Sequence, residues 1–420
     1  MSKRRYYSVE FKQVDWCGLV EGLGGSRAVL AVDVAKEDFV AAVMGPDAGV
    51  RVTFKWQHPA QTAEVLECLG RLAGAISLEA VLEPSGTYGD VLIGQLRRLR
   101  IPVYRISPKR VHDSAEVYDG VPSLHDAKAA ELIGRLHLQG VSQLWDELGQ
   151  ERRQLHAWLT RLEVTKARRQ AGLNRLEAHL SRHWPELLTC LDLSSATLAE
   201  LVGVYGDPAA VAADPLEAAA LMRRVGRAGL GEDSITAVLA SARGSLGLPC
   251  VAGERGLLQW LAADSNATRG ELRAIEQEIE QQVAASVVPA RLSGIIGKVS
   301  AAVLVAALGE PQTYPDAASY TKAMGLNLKE RSSGKHKGQL KITKRGPCVV
   351  RFYLYFAALR LIARDPEVRR WYDRQSARPG ALKGKTIVAL MRKLAQALWH
   401  VGRGATFETK RLFAPAPLGA

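Results

Sequence analysis

Apolar residues in the first hundred positions fall into short runs broken by polar turns. Residues 28–44 read as two strands, one an apolar run closing on Asp33 and one beginning after Asp38. A third strand is predicted over Val50 to Trp56. Val65, Leu66, Leu69 and Leu72 then mark an amphipathic helix that opens near Pro59. Leu78 to Leu82 reads as a buried strand ending on Glu83, and Pro84-Ser85-Gly86-Thr87-Tyr88 leads into a helix through Leu99. Pro102 to Ile106 gives a further strand, and Pro108 starts another helix. Strands and helices in this alternation predict an α/β layer with parallel pairings.

From Gln143 the period changes. Positions 155, 159, 162, 166, 169, 173, 176 and 180 are spaced by four and three; all are Leu except Lys166 and Arg169. This is a coiled-coil seam with two basic interruptions, ended by Trp184-Pro185. Leu272, Ile275, Ile279 and Val283, within Gly270 to Val283, supply a partner face. The expected result is an antiparallel arm, with residues 186–262 as a helical cap or dimerisation lobe. Further on, Leu292 to Lys298 reads as a glycine-paired hairpin before an Ala-rich helix. Helices are then signalled at Cys348 to Ala363, from Asp365-Pro366 through Arg374, and at Lys383 to Val401. The pattern divides the chain into a basic extension (1–27), an α/β domain (28–140), the arm and cap (141–288) and a mainly helical C-terminal domain (289–420).

Charge adds a partner to this picture. The 420 residues carry a net charge of +13, with a pI near 9.6. From Arg291 onward there are 24 Lys and Arg against 7 Asp and Glu, so the remainder is slightly acidic. Such segregation favours a polyanion, nucleic acid first. Five scattered cysteines without a CxxC pair argue against a disulfide framework or zinc site and fit a reducing cytosol. The charged amino terminus is unlike a signal peptide, and the apolar runs are too short to span a bilayer, so no membrane partner is expected.

Two stretches carry candidate chemistry. Asp33 lies inside a strand and Glu83 at the end of another, where neighbouring strands could present oxygens to Mg²⁺. Asp126, at the entrance of a helix with apolar Ala129, Leu132, Ile133 and Leu136, could add a third carboxylate. Each has a plainer role open to it: turn residue, helix cap and first-turn acid, respectively. Between Gly325 and Gly346, Ser332 and Ser333 stand among Lys329, Arg331, Lys335, Lys337, Lys341, Lys344 and Arg345, where a phosphate would be drawn. Either serine is a candidate nucleophile, or the Ser-Ser-Gly is a turn in a basic loop. Lys298, Arg351, Lys385, Arg392 and Lys393 join Lys335, Lys337, Lys341, Lys344 and Arg345 as candidate nucleic-acid contacts.

Several motifs agree in type and order with one family: Val32-Asp33-Val34-Ala35-Lys36, Glu83-Pro84-Ser85-Gly86-Thr87-Tyr88, an Asp-bearing helix, a coiled-coil insertion, Gly294-Ile295-Ile296-Gly297, Gly325-Leu326 with Ser333-Gly334, and Met391-Arg392-Lys393-Leu394-Ala395-Gln396. Over about residues 28 to 405 the chain resembles the Piv-type DEDD transposases of the IS-one-ten insertion-sequence family. The resemblance implies a RuvC-like RNase H fold at the amino end with acids binding Mg²⁺. It also implies a C-terminal serine domain that forms a phosphoserine link to DNA. It further implies a bridge RNA pairing with donor and target DNA, a dimer of dimers in which the serine of one subunit completes the acidic site of another, and a bacterial cytoplasmic, nucleoid-associated setting. By position Asp33 and Glu83 match the first two acids and Ser333 the nucleophile.

The family pattern places a fourth acid three residues after the third. With Asp126 as the third acid that position is Ala129; with Asp126 as the fourth, the third position is Ser123. Helix phase favours the first register. Three oxygen donors can hold one Mg²⁺ with water completing the shell, and Asp119 could fold back as a substitute. Two other readings fit the residues: a RuvC-like structure-selective nuclease using water, and a nucleic-acid-binding protein without catalysis.

Overall fold

The side-chain alternation of one central strand sets the layers of the N-terminal unit. In β2 (Ala28–Val34), Leu30, Val32 and Val34 point into one core while Val29 and Ala31 point into another, the period-two signature of a sheet buried on both faces. A computed structural model of the chain describes residues 6–145, 147–330 and 340–413. Ser332, Ser333, Lys335 and Lys337 therefore lie outside the described residues.

The chain enters through β1 (Val9–Glu10) and α1 (Trp16–Leu23) before β2. There follow β3 (Asp38–Met44), β4 (Val50–Gln57), α2 (Thr62–Ala75), β5 (Leu78–Leu82), α3 (Asp90–Arg98), β6 (Val103–Arg105), α4 (Pro108–Asp113), α5 (Asp126–Leu138) and β7 (Gln143–Leu144). They build a sheet of order β1-β4-β3-β2-β5-β6-β7. β2, β3 and β4 form an antiparallel meander, and β5 and β6 continue from β2 in parallel. The α2 and α3 residues Val65, Leu69, Leu92 and Leu96 cover the Leu30–Val32 face. Leu132 and Ile133 of α5 cover Val29 and Ala31, while its Ala127 and Ala130 meet Val40, Ala42 and Met44.

Residues 1–27, read from the sequence as a basic extension, include structural parts of this unit. Val9 and Glu10 pair in parallel with Phe54 and Lys55, and Phe11, Leu19 and Leu23 are buried in the α2–α3 core. A two-residue strand has no period to reveal it, and β7 escaped prediction for the same reason. Helix α2 begins three residues after the expected Pro59.

The second unit, residues 148–420, starts with α6 (Gln150–His183). The cap comprises α7 (Leu187–Cys190), α8 (Ala196–Tyr205), α9 (Pro208–Ala213), α10 (Pro215–Gly226) and α11 (Glu232–Arg243). The return helix α12 (Ala252–Ala285) begins well before the expected Gly270, because Ser265 and Thr268 fill buried positions where an apolar pattern breaks. The Thr268 hydroxyl donates to the Asp264 carbonyl and so needs no external partner. Arg161 pairs with Glu271 at 3.1 Å, Arg168 with Asp264, and Arg182 with Glu254 at 3.3 Å, a descending order that fixes α6 and α12 as antiparallel.

Beyond α12 come α13 (Val287–Ile296), α14 (Lys298–Leu308), α15 (Ala317–Ala323), the ribbon β8 (Leu328–Lys329) and β9 (Lys341–Ile342), α16 (Cys348–Arg364), α17 (Pro366–Ser376) and α18 (Lys383–Gly402). Helix α14 is apolar on nearly every side and is buried at the centre of this group. Leu155, Leu159 and Leu162 of α6 share its core with Ile275 and Ile279 of α12, so the base of the arm and the C-terminal helices are one packed body. Leu176 and Leu180, at the other end of α6, pack with the cap.

Candidate active site

Strand parity brings the first two acids to one face. Asp33 shares the parity of Val29 and Ala31, and Glu83, one residue past β5, shares that of Val81; all three apolar neighbours pack on the α5 side. Val32 pairs with Leu82 in parallel register, so the two carboxylates sit at the carboxyl ends of adjacent parallel strands. Asp126 opens α5 on that same side.

The fields of these groups report their proximity. Burial at the strand end, with the Asp126 charge second, raises Asp33 from the ordinary aspartate range to about 6; a hydrogen bond from the Val34 backbone opposes the shift. Burial and then the Asp33 charge push Glu83 upward. Among the described residues no Lys, Arg or His forms an ion pair with any of the three. Two half-buried carboxylates, Asp33 and Glu83, beside the exposed Asp126 and without a cation, are the oxygen donors a hard divalent ion would take. Their positions are not closed around such an ion: among the described residues no group of three or more His, Cys, Asp and Glu is arranged to hold a metal. The donor chemistry fits Mg²⁺, with water or substrate oxygens left to complete the shell.

Helix α5 is held at both ends. Near its start, Lys128 is almost wholly buried and its ammonium reaches Asp119 Oδ1 at 2.9 Å and the carbonyls of Val121 and Ser123 at 2.7 and 3.1 Å. Asp119, considered as a substitute fourth acid, is instead the partner of Lys128. Ala129 is buried, and α5 also carries the buried Glu131, approached by the Thr53 hydroxyl at 3.4 Å. At the other end, His137 Nε2 lies 3.0 Å from Glu79 Oε2 and its Nδ1 2.7 Å from the Ser142 hydroxyl. Arg27 reaches the same Glu79 oxygen at 2.7 Å. Burial lowers the His137 pKa, so the neutral ring donates to Glu79 and accepts from Ser142.

In the second unit, β8 and β9 bracket the stretch containing Ser333 in sequence and pair in register Leu328↔Ile342 and Lys329↔Lys341. Lys344 N donates to the Gly325 carbonyl at 2.9 Å. Gly325 has φ +72, and a Cβ there would lie 2.9 Å from the Arg345 nitrogen, so the crossing requires glycine. Lys341, Lys344, Arg345 and Lys385 are exposed. Lys298 pairs with Glu280 at 2.8 Å. The hairpin before it turns on Gly297 alone, since Gly294 lies within α13.

Three of the expected nucleic-acid contacts also have internal partners. Arg351 donates to the carbonyls of Met324, Gly346 and Pro347, Arg392 to that of Leu326 and Lys393 to that of Leu412. Sequence spacing placed Arg392 and Lys393 off the apolar stripe of α18 but gave no view of the carbonyls that hold all three residues.

Residues 30–185 match the DEDD type of IS110 transposase, and residues 291–373 match the transposase family IS116/IS110/IS902. The chain belongs to the IS110 family of transposases. The first matched segment contains Asp33, Glu83 and Asp126, and the second brackets Ser333. The chain is 28% identical over 162 residues to an uncharacterised 43.6 kDa protein of insertion element IS110 from Streptomyces coelicolor. That match covers 38% of this chain and spans 40% of the relative's length. A T. thermophilus RuvC structure in complex with a Holliday junction substrate aligns at 16% identity and TM-score 0.22, covering 28% of this chain and 99% of that one. The N-terminal unit is of the α/β, RNase H-like kind expected for the family. Among the described residues no helix is long and apolar enough to cross a membrane.

Proposed function

We propose that the chain is an RNA-guided DNA recombinase of a mobile element, in which Ser333 attacks a DNA phosphate and Asp33, Glu83 and Asp126 serve the same phosphodiester. The observation that carries this reading is the cation-free acid group at the carboxyl ends of β2 and β5. When bound there, Mg²⁺ would supply charge neutralisation at the scissile phosphate.

The side chains divide the remaining work. Asp33, half-buried and with its proton held more tightly by burial and the Asp126 charge, would ionise more readily beside a bound cation. The Ser333 oxygen forms a bond to phosphorus as the bond to one DNA oxygen breaks, and the serine proton passes to solvent or the leaving oxygen. A DNA hydroxyl then attacks the phosphoserine, restoring serine, so no external energy source is needed. Guide RNA and a dimer of dimers are the partners we assign, supported by the family and by the cationic C-terminal third.

The test is a covalent-adduct assay with Ser333→Ala and Asp33→Ala proteins on donor and target DNA. Ser333→Ala is expected to bind nucleic acid while yielding no protein–DNA adduct and no strand exchange. Unchanged strand exchange by that variant overturns the serine mechanism. Cutting abolished by Asp33→Ala yet indifferent to Ser333 would favour hydrolysis by water. RNA copurifying from cells that carry the flanking element checks the guide.

A further inference from the structure

Helix α16 carries Phe352, Phe356, Arg360 and Arg364 at four-residue intervals, which places two aromatic rings and two guanidiniums along one face. Phe352 and Phe356 are 55% and 43% exposed, although nothing in the helix's apolar core requires them to face water. Their rings meet edge to face at 4.9 Å rather than stacking on one another. The face lines a cleft of about 480 Å³ whose other walls are Lys166 of α6, Glu276 and Glu280 of α12, and the turn from Gly297 to Ser300.

Charge in the cleft is not balanced. Glu280 is paired with Lys298 at 2.8 Å and Glu276 with Lys166 at 4.0 Å. Arg360 donates to the Ile296 carbonyl and the Ser300 hydroxyl, at 2.6 and 3.0 Å, and among the described residues Arg364 has no carboxylate partner. Both carboxylates are thus neutralised, with two guanidiniums in excess. Open aromatic rings beside surplus cations match a chemical class with a flat apolar face and an adjacent anion. A subunit contact would instead favour an apolar centre depleted of charge.

We propose that this cleft binds an unpaired nucleotide of a single-stranded nucleic acid, its base on Phe352 and Phe356 and its phosphate at Arg364. Bases inside a duplex are not free to stack on side chains, so the site selects single strands. This rests on the reading of the chain as a nucleic-acid-handling protein, but it is tested by binding alone, without strand exchange.

The experiment compares full-length wild type with the Phe352→Ala/Phe356→Ala double variant in EDTA, by fluorescence anisotropy. The probes are labelled oligothymidylate, oligouridylate and a duplex of equal length. The double variant is expected to lose about tenfold or more in single-strand affinity with little change on the duplex. The Phe352→Tyr/Phe356→Tyr protein is expected to retain binding. Loss on both single strands supports a site for either backbone, and loss on one alone assigns it to DNA or RNA. Equal loss on duplex and single strand, no loss at all, or a changed sedimentation mass with single-strand affinity intact overturns the proposal. If the double variant does not fold, Arg364→Gln decides: it must weaken single-strand binding and lower the salt slope by about one phosphate contact.

Discussion

Asp33 is kept from ionising freely by its half-buried strand end and by the negative charge of Asp126, so the folded protein binds its proton more tightly than the unfolded chain does. The sign follows directly: this contribution to metal-free stability is full below about pH 4, the unfolded value, and is lost as pH rises through about 6. Solvent access reduces the effect to about 1–2 kcal/mol. Asp33→Asn is therefore expected to be more stable than wild type at pH 8 by that amount, with the advantage gone below about pH 4, in thermal unfolding followed against pH. Added Mg²⁺ should stabilise wild type and leave Asp33→Asn nearly unmoved. Lys128 makes the contrasting case, a buried cation whose acid is present. Lys128→Met is expected to cost about 3–5 kcal/mol because Asp119 loses the buried ammonium that balances its charge, and the Lys128→Met/Asp119→Asn protein should recover part of that in denaturant unfolding. Asp33 and Glu83 were legible in the sequence because one is a carboxylate inside an apolar strand run and the other closes such a run, where a charge needs a reason. Lys128 was not, since its burial depends on carbonyls from a loop that no periodicity describes.

At the scale of elements, α5 connects the acid group to the far end of the sheet. From Asp126 to His137 the helix runs about 17 Å, and residues 79 to 83 span about 13 Å along the strand. The His137–Glu79–Arg27 cluster therefore anchors one end of a rod whose other end presents Asp126. His137→Ala is expected to lose about 1–3 kcal/mol. It should lower the rate of DNA cutting while nucleic-acid affinity stays unchanged, a separation that kinetics and anisotropy on the same preparation would measure. The amphipathic stripe of α5 was readable from Ala129, Leu132, Ile133 and Leu136, and all four are buried. Its anchoring was not, because Glu79 lies 58 residues from His137. The arm shows the same limit: the leucines of α6 disclosed the seam, while Ser265 and Thr268 concealed the first half of its partner.

For the whole molecule, charge segregation is the property that sequence alone conveys best, but a count of cations does not say which of them remain free. Arg351, Arg392 and Lys393 are bound to carbonyls of the segments that connect and follow the C-terminal helices. Lys341, Lys344 and Arg345 are exposed, and among the described residues none pairs with a carboxylate. The two sets should respond differently to neutralisation. Phosphate contacts release counterions, so replacing the exposed three with Gln is expected to reduce the slope of log affinity against log salt by about 2–3 on duplex DNA, with unfolding unchanged. Replacing the carbonyl-bound three with Gln should instead lower the unfolding midpoint and leave that slope nearly as it was, since those cations make no counterion-releasing contact. A salt titration of both triple variants, each with a parallel melt, measures the difference. Equal loss of slope in the two would mean that carbonyl-bound cations also reach phosphate, and the charged third of the chain would then act as one undivided surface.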